Sequence, residues 1–243
     1  MGDQGSPESS EEFNGRQLAR NLLRQCRHGI LSTQSLDADG HPFGSAVPYI
    51  LDFDHIPLIL ISRLAEHSRN LLADPKTSFT LIEPGTTDIQ QSVRLCLLTQ
   101  AEIVKGDKAA QERYFRYFPR TRFFAGSLDF FFCRLKPIKA RLIAGFGKAA
   151  WLDLEGLLPG LSFSENDENQ LLALLNGARR KEFLERMSTH SAMIAAEPES
   201  LRAVGVDNEG LDYVVREMHG RLIFKTALTA PETLWPALGA AIQ

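Results

Sequence analysis

Residues 60–83 read LISRLAEHSRNLLADPKTSFTLIE, and their pattern changes twice. The apolar run Leu58–Ser62 is short and continuous, as a buried strand is. Arg63–Ala73 breaks that pattern as a short helix stopping at Asp74-Pro75, and Thr77–Glu83 resumes as strand. Working outward, Ile30–Gln34 and Phe43–Phe53 are two more strands, joined through LDADGHP, whose Asp39-Gly40 pair suits the positive φ of a tight connection. In Val93–Val104, Leu95, Leu97, Thr99, Ala101 and Ile103 point one way and Arg94, Gln100 and Glu102 the other, so one face of that strand is wet or polar. Phe130–Leu135 and Ala140–Phe146 add two strands. Helices flank the set: Asn14–His28, with Gly29 at its end, and a helix capped by Asp107 that runs through Phe118. Seven or so short strands with few helices before residue 150 predict a small antiparallel barrel.

The whole chain has 243 residues, 44% of them apolar and 23% charged, which excludes collagen-like, coiled-coil and wholly disordered chains. The acidic residues 1–12 predict a mobile tail and 13–152 the barrel. DLEGLLPGLSFSEN (153–166) predicts a linker, and 167–243 a compact α+β domain. In that domain Asp167–Asn176 and Arg180–Ala196 read as helices, Leu211–Glu217 and Arg221–Thr226 as a hairpin, and Pro231–Ile242 as a last helix. Arg179-Arg180-Lys181 reads as a solvated helix end. The fold class is mainly β followed by α+β.

A net charge of −3 argues against a nucleic-acid partner. No apolar run reaches the roughly 18–20 residues that span a bilayer, and no secretory or transit pattern opens the chain, so no membrane partner and a cytoplasmic location are expected. Cys26, Cys96 and Cys133 lie apart in apolar surroundings, as buried thiols of a reducing compartment do.

Hydrolase and phosphate-loop signatures are absent, and AGFGKAA (144–150) lacks the third glycine and the helix of a dinucleotide loop. Gly145 and Gly147 read instead as a bend at a barrel corner. Ser62-Arg63 at a strand-to-helix junction, followed by His67 and Asn70, could hold a phosphate or carboxylate, although Ser62 reads equally as a plain N-cap. No two of the six histidines have zinc-site spacing, but a single histidine suffices to ligate a haem iron.

Four stretches, RNLLRQCRHGILSTQSLDADGHPFGSAVPY (20–49), the opening segment (60–83), RLCLLTQAEI (94–103) and RLIAGFGKAAWL (141–152), together resemble the pyridoxamine 5′-phosphate oxidase-like, FMN-binding split-barrel superfamily. Within it the likeness is to the haem-utilisation, HugZ-type branch. ERMSTHSAMIA (185–195) and VGVDNEGLDYVV (204–215) are similar to the α+β domain that follows this barrel there. The resemblance implies a homodimer of six-stranded split barrels, with a tetrapyrrole or flavin in clefts at the subunit interface. It implies cofactor contacts from Ser45, Ser62, Arg63, His67, Asn70, Arg94, Arg134 and Arg141, and an iron ligand at His190, where RMSTHS stands in place of an HMNxDH-like run. Gly44 and Leu64 occupy the positions of the arginine and lysine that hold the FMN phosphate in the oxidases. Haem is therefore the favoured cofactor, with FMN or none as alternatives. The expected function is haem binding, extending to haem degradation. The competing readings are a flavin-dependent oxidoreductase and a non-catalytic binding module of the tetrapyrrole pathway, such as the superfamily includes in plants.

Overall fold

The computed structural model describes residues 14–126, 129–145, 147–157, 163–190 and 192–239. The expected tail (1–12), the middle of the expected linker (158–162), Phe146 and the end of the expected last helix (240–242) lie outside them. In chain order the first half runs α1 (Gly15–Gln25), β1 (His28–Gln34), β2 (Pro42–Pro48), β3 (Ile50–Leu51), β4 (Pro57–Ser62), α2 (Glu66–Ala73), β5 (Lys76–Ile82), β6 (Val93–Ile103), α3 (Lys108–Tyr117), α4 (Thr121–Ala125), β7 (Phe130–Ala144) and β8 (Ala149–Leu152). The second half runs α5 (Leu154–Leu157), α6 (Glu165–Asn176), α7 (Arg180–Met187), α8 (Ala192–Ala196), β9 (Leu201–Asp207), β10 (Gly210–Val215), β11 (Met218–Ile223) and α9 (Leu234–Gly239).

An eight-stranded antiparallel sheet has the order β2-β1-β5-β6-β7-β4-β3, with β8 added alongside β7. It curls around Leu31, Phe79, Leu81, Leu95, Leu97 and Leu142, closing on Leu22 and Leu23 of α1 and Leu71 of α2. Asn14 starts α1 by accepting from the Gln17 N–H at 3.0 Å, a cap for one of the helix's orphan donors. Gly29 is not a helix-ending residue but lies within β1, where a Cβ would fall 2.5 Å from the Phe79 ring. Glycine is there to admit that ring.

β7 is one strand where the sequence predicts two, because Pro137 and Ile138 interrupt its alternation. Leu98 pairs with Lys139 and Thr99 with Pro137, so Ile138 is the extra residue of a bulge. The bulge reverses parity: Cys133 and Leu135 before it and Ala140 and Leu142 after it all face the core. Phe131 and Phe132 are both buried within the chain, Phe131 in the barrel and Phe132 beneath α3.

The second sheet has the order β11-β10-β9. β9 is absent from the sequence reading, since Gly205 interrupts a short run directly after Pro198–Ser200, yet it brings two cores together. Leu201, Ala203 and Val206 face α6 and α7, whereas Val204 joins Tyr114, Tyr117 and Leu58 on the barrel side. The predicted 180–196 helix breaks into α7 and α8. Arg179 and Arg180 are not a solvated end: Arg179 lies 3.6 Å from the centre of the Trp235 ring, and Arg180 donates to the Leu201 and Glu199 carbonyls. Gly145 and Gly147 take φ of +67° and +81°, as the bend requires, and Asp39-Gly40 takes +48° and +75°. Cys26 and Cys133 are buried, but Cys96 is half-exposed on the outside of the sheet. Among the described residues no helix is long and apolar enough to cross a membrane.

Candidate functional site

Ser62 ends β4, and its hydroxyl accepts from the Leu64 N–H at 3.2 Å. Helix α2 starts only at Glu66, with Ala65 in the cap position, so Ser62 is neither an N-cap nor at the helix terminus. The chain makes an extra turn here, held by the Arg63 N–H on the Asp129 carbonyl at 2.6 Å. That turn leaves the Arg63 guanidinium 4.9 Å from the centre of the Phe131 ring and Leu64 77% exposed. On α2 the His67 ring is half-buried, and its Nε2 is shut off from solvent with no hydrogen-bond partner. Burial lowers its pKa below the usual histidine value, which keeps the imidazole neutral near pH 7. Asn70 plays a different part. It accepts from the Leu36 N–H and donates to Thr33 Oγ1, both at 3.0 Å, while Glu66 accepts from Ser35 at 2.9 Å. These bonds pin α2 to the end of β1; the buried Asn70 is a tether.

A second patch lies on the outside of the barrel. On β6 the side chains of Arg94, Cys96 and Leu98 alternate with the buried Leu95 and Leu97. Registers place Ile30, Thr80, Cys96, Arg141 and Trp151 in one row across β1, β5, β6, β7 and β8, with Arg94 opposite Ile143 in the next. The Arg141 guanidinium stands 5.3 Å from the centre of the Trp151 ring, which is 54% exposed. Ile82, Leu98 and Ile138 are exposed around it. The patches sit at opposite ends of β7: from Phe131 to Arg141 the strand runs roughly 33 Å at about 3.3 Å per residue. Within one chain they do not form a common site.

The other expected site residues stand elsewhere. Ser45 is half-buried on β2 opposite Leu31. Arg134 donates to Asp52 and to Asp107, the cap of α3, each at 2.5 Å, locking that helix onto the β3–β4 turn. His190 follows α7, its backbone N–H on the Met187 carbonyl at 3.0 Å; its ring is half-buried, and its Nε2, like that of His67, is shut off from solvent with no hydrogen-bond partner.

Sequence reading missed a cavity of about 570 Å³ where the start of β1 and the end of α3 meet the second sheet. Arg27, His28, Tyr117, Phe118, Arg202 and His219 line it. These residues are scattered along the chain, so no local motif announces them. Beneath it lies a buried ionic network, in which Arg24 and Arg221 meet Asp207, and Arg27 and Arg221 meet Asp212.

The CREG β-barrel family model matches residues 11–157. The chain belongs to that family. The barrel predicted from the split-barrel resemblance is thereby borne out. The chain is 34% identical over 132 residues to the non-canonical heme oxygenase HOZ, chloroplastic, of Arabidopsis thaliana, a match that covers 54% of this chain and only 40% of that relative. Among solved structures, a protein of unknown function from Agrobacterium tumefaciens shares the fold over 98% of this chain and 100% of its own, with a TM-score of 0.76 at 21% identity. A heme-binding protein from Mycobacterium smegmatis does so over 93% and 94%, with a TM-score of 0.57 at 22% identity. The first of these extends the likeness through the second sheet and so to the junction where the cavity lies.

Proposed function

We propose that this CREG-family chain is a haem-binding protein, and that its haem lies in a cleft completed by a second copy of the same chain. The observation that carries the reading is the division of suitable groups between the two ends of β7: Arg63, Leu64 and the unpartnered His67 at one, Arg94, Arg141 and Trp151 on an uncovered apolar sheet face at the other. A two-fold dimer through that face would set one copy's first patch against its partner's second. The haem oxygenase name of the Arabidopsis relative supports the same ligand.

The residues fit haem better than FMN. A porphyrin needs flat apolar cover, cations for its two carboxylates and a neutral imidazole nitrogen. Arg141 and Arg63 would take the carboxylates, Leu64, Leu98 and Trp151 would exclude water, and His67, whose Nε2 is shut off from solvent in the single chain, would offer that nitrogen once its ring turns towards the cleft. Asn70 and Glu66, by fixing α2, set where that nitrogen points. FMN instead needs a charged grip on its phosphate, and Gly44 and Leu64 bring none. When bound, haem would supply a redox-active iron that reacts with oxygen; turning this into haem degradation requires electrons from an external donor. In this reading the barrel (13–152) carries the cleft, and 167–243, reached through 153–166, braces it.

Titrating the protein with hemin and, separately, with FMN tests the reading. A saturable Soret band is expected, shifted in His67→Ala, with FMN bound more weakly than hemin. Micromolar FMN affinity with no change in the hemin spectrum would overturn it.

A further inference from the structure

We propose that the cavity between the barrel and the second sheet is a separate binding site, for a flat aromatic carboxylate. The proposal goes beyond the haem reading, because the cavity shares no residue with either patch.

Shape and surface come first. At about 570 Å³ the cavity falls within the range of small-molecule sites. One wall is a set of rings: His219 stacks on Tyr117 at 6.3 Å with 15° between planes, and Phe118 tilts against it at 5.2 Å. Tyr117 cannot swing away, because its hydroxyl is anchored on Asp212 at 2.6 Å. His219 makes no hydrogen bond among the described residues, and its Nδ1 is sealed from solvent. Burial, with Arg27 and Arg202 nearby, holds its pKa at about 4. At neutral pH the His219, Tyr117 and Phe118 rings are therefore uncharged and suited to a planar ring, with the Arg27 guanidinium 5.1 Å from the centre of the Tyr117 ring.

Charge fixes the other end of the ligand. Arg27 is spent on Asp212, Arg120 pairs with Glu217, and Arg216 pairs with Glu197. Arg202, an exposed residue at the rim of this aromatic-walled cavity, has no ion pair among the described residues, so its guanidinium is open to a ligand's carboxylate. The Arg120–Glu217 pair is exposed on both sides and Arg216 is exposed against a half-buried Glu197, so the first can be given up at little cost and the second at somewhat more. A ligand with one carboxylate is matched by Arg202, and a second would draw on Arg120 or Arg216. Such a group could belong to a small aromatic acid or to a porphyrin.

The test titrates the full chain with 2-naphthoate and with metal-free protoporphyrin IX, by calorimetry and ligand fluorescence. Saturable binding of at least one is expected, weakened tenfold or more by Arg202→Ala and by His219→Ala. Naphthoate binding that protoporphyrin does not displace assigns the site to small aromatic acids; Arg202-dependent displacement assigns it to porphyrin carboxylates. Failure of both probes to saturate, or equal binding by Arg202→Ala, would overturn the proposal. So would loss of the hemin Soret band in Arg202→Ala, which would make the cavity the haem site itself. If instead hemin binds nowhere while naphthoate binding depends on Arg202, the haem reading fails and this site stands.

Discussion

The Tyr117 hydroxyl, at the end of α3, donates to Asp212 Oδ2 on β10 at 2.6 Å, joining two residues 95 positions apart in a buried contact. The other carboxylate oxygen of Asp212 receives Arg27 at 2.6 Å and Arg221 at 3.0 Å. Burial alone would raise the pKa of Asp212, but Arg27 and Arg221 outweigh it and keep the carboxyl below its usual value. The second sheet is thus fastened to the barrel by buried ion pairs, and removing one partner strands the others.

Gly205 on β9 records how close that contact is, since a Cβ there would fall 1.9 Å from the Tyr117 hydroxyl oxygen. Tyr117→Phe should cost about 1.5–3 kcal/mol, the range for a hydrogen bond to a charged group. Gly205→Ala should cost more. In the double variant the clashing oxygen is gone, so the two costs should sum to more than the measured loss in urea unfolding. Additive losses would show that the hydroxyl and Gly205 do not meet.

His55 gives a pH dependence. Burial, and then the charge of Arg24, hold its pKa at about 4 against the usual 6.5. Between those values the unfolded chain takes up a proton that the folded chain refuses, so stability is lost as pH falls from 6.5 to 4, by up to about 3 kcal/mol. His219, also held at about 4, acts in the same direction. His55 has a φ of +59°, which asparagine tolerates. His55→Asn should therefore fold and lose less stability than the parent between pH 7 and pH 4.5. Below about pH 4, protonation of Asp207 and Asp212, whose pKa values are depressed, should destabilise both proteins alike.

Asn70 and His67 share a short helix but should separate experimentally. Asn70→Leu leaves the Leu36 N–H without its acceptor, at a cost of about 1–3 kcal/mol, and weakens hemin binding less than His67→Ala does, because it loosens only the helix that aims His67. His67→Ala should weaken hemin binding with little loss of stability, since its Nε2 has no bond to lose. The reverse pattern would exchange their roles.

The barrel was legible in the sequence because β6 alternates cleanly over its whole length, and its inward and outward residues are those the alternation assigns. β7 was not, since a bulge at Ile138 reverses the period that strand prediction depends on. The candidate site was legible only in part. Arg63, His67 and Asn70 stood out in the residues, and Arg94, Arg134 and Arg141 came with the resemblance; in sequence all six look alike, and only their buried partners identify Asn70 and Arg134 as tethers of α2 and α3. The cavity at Tyr117 and His219 depends on segments that meet through β9, a strand the local pattern conceals.

The exposed sheet face predicts self-association. Ile82, Leu98, Ile138 and Trp151 form an apolar surface that isolated domains seldom leave open. Wild-type protein should have the mass of two chains by light scattering, and Trp151→Glu, which puts a charge in that surface, the mass of one. A wild-type mass of one chain at all concentrations would remove the second half of the proposed cleft.

Subunit complementation tests the central claim most directly. His67→Ala and Arg141→Ala homodimers are each expected to bind hemin weakly, because every cleft lacks one group. In mixed dimers of the two variants, one cleft carries both substitutions and the other carries neither. Unfolding and refolding an equal mixture, followed by hemin titration, should then restore a wild-type Soret band at one site per mixed dimer. If no tight site returns although mixed dimers form, the haem-binding groups do not come from two copies, and the account is contradicted.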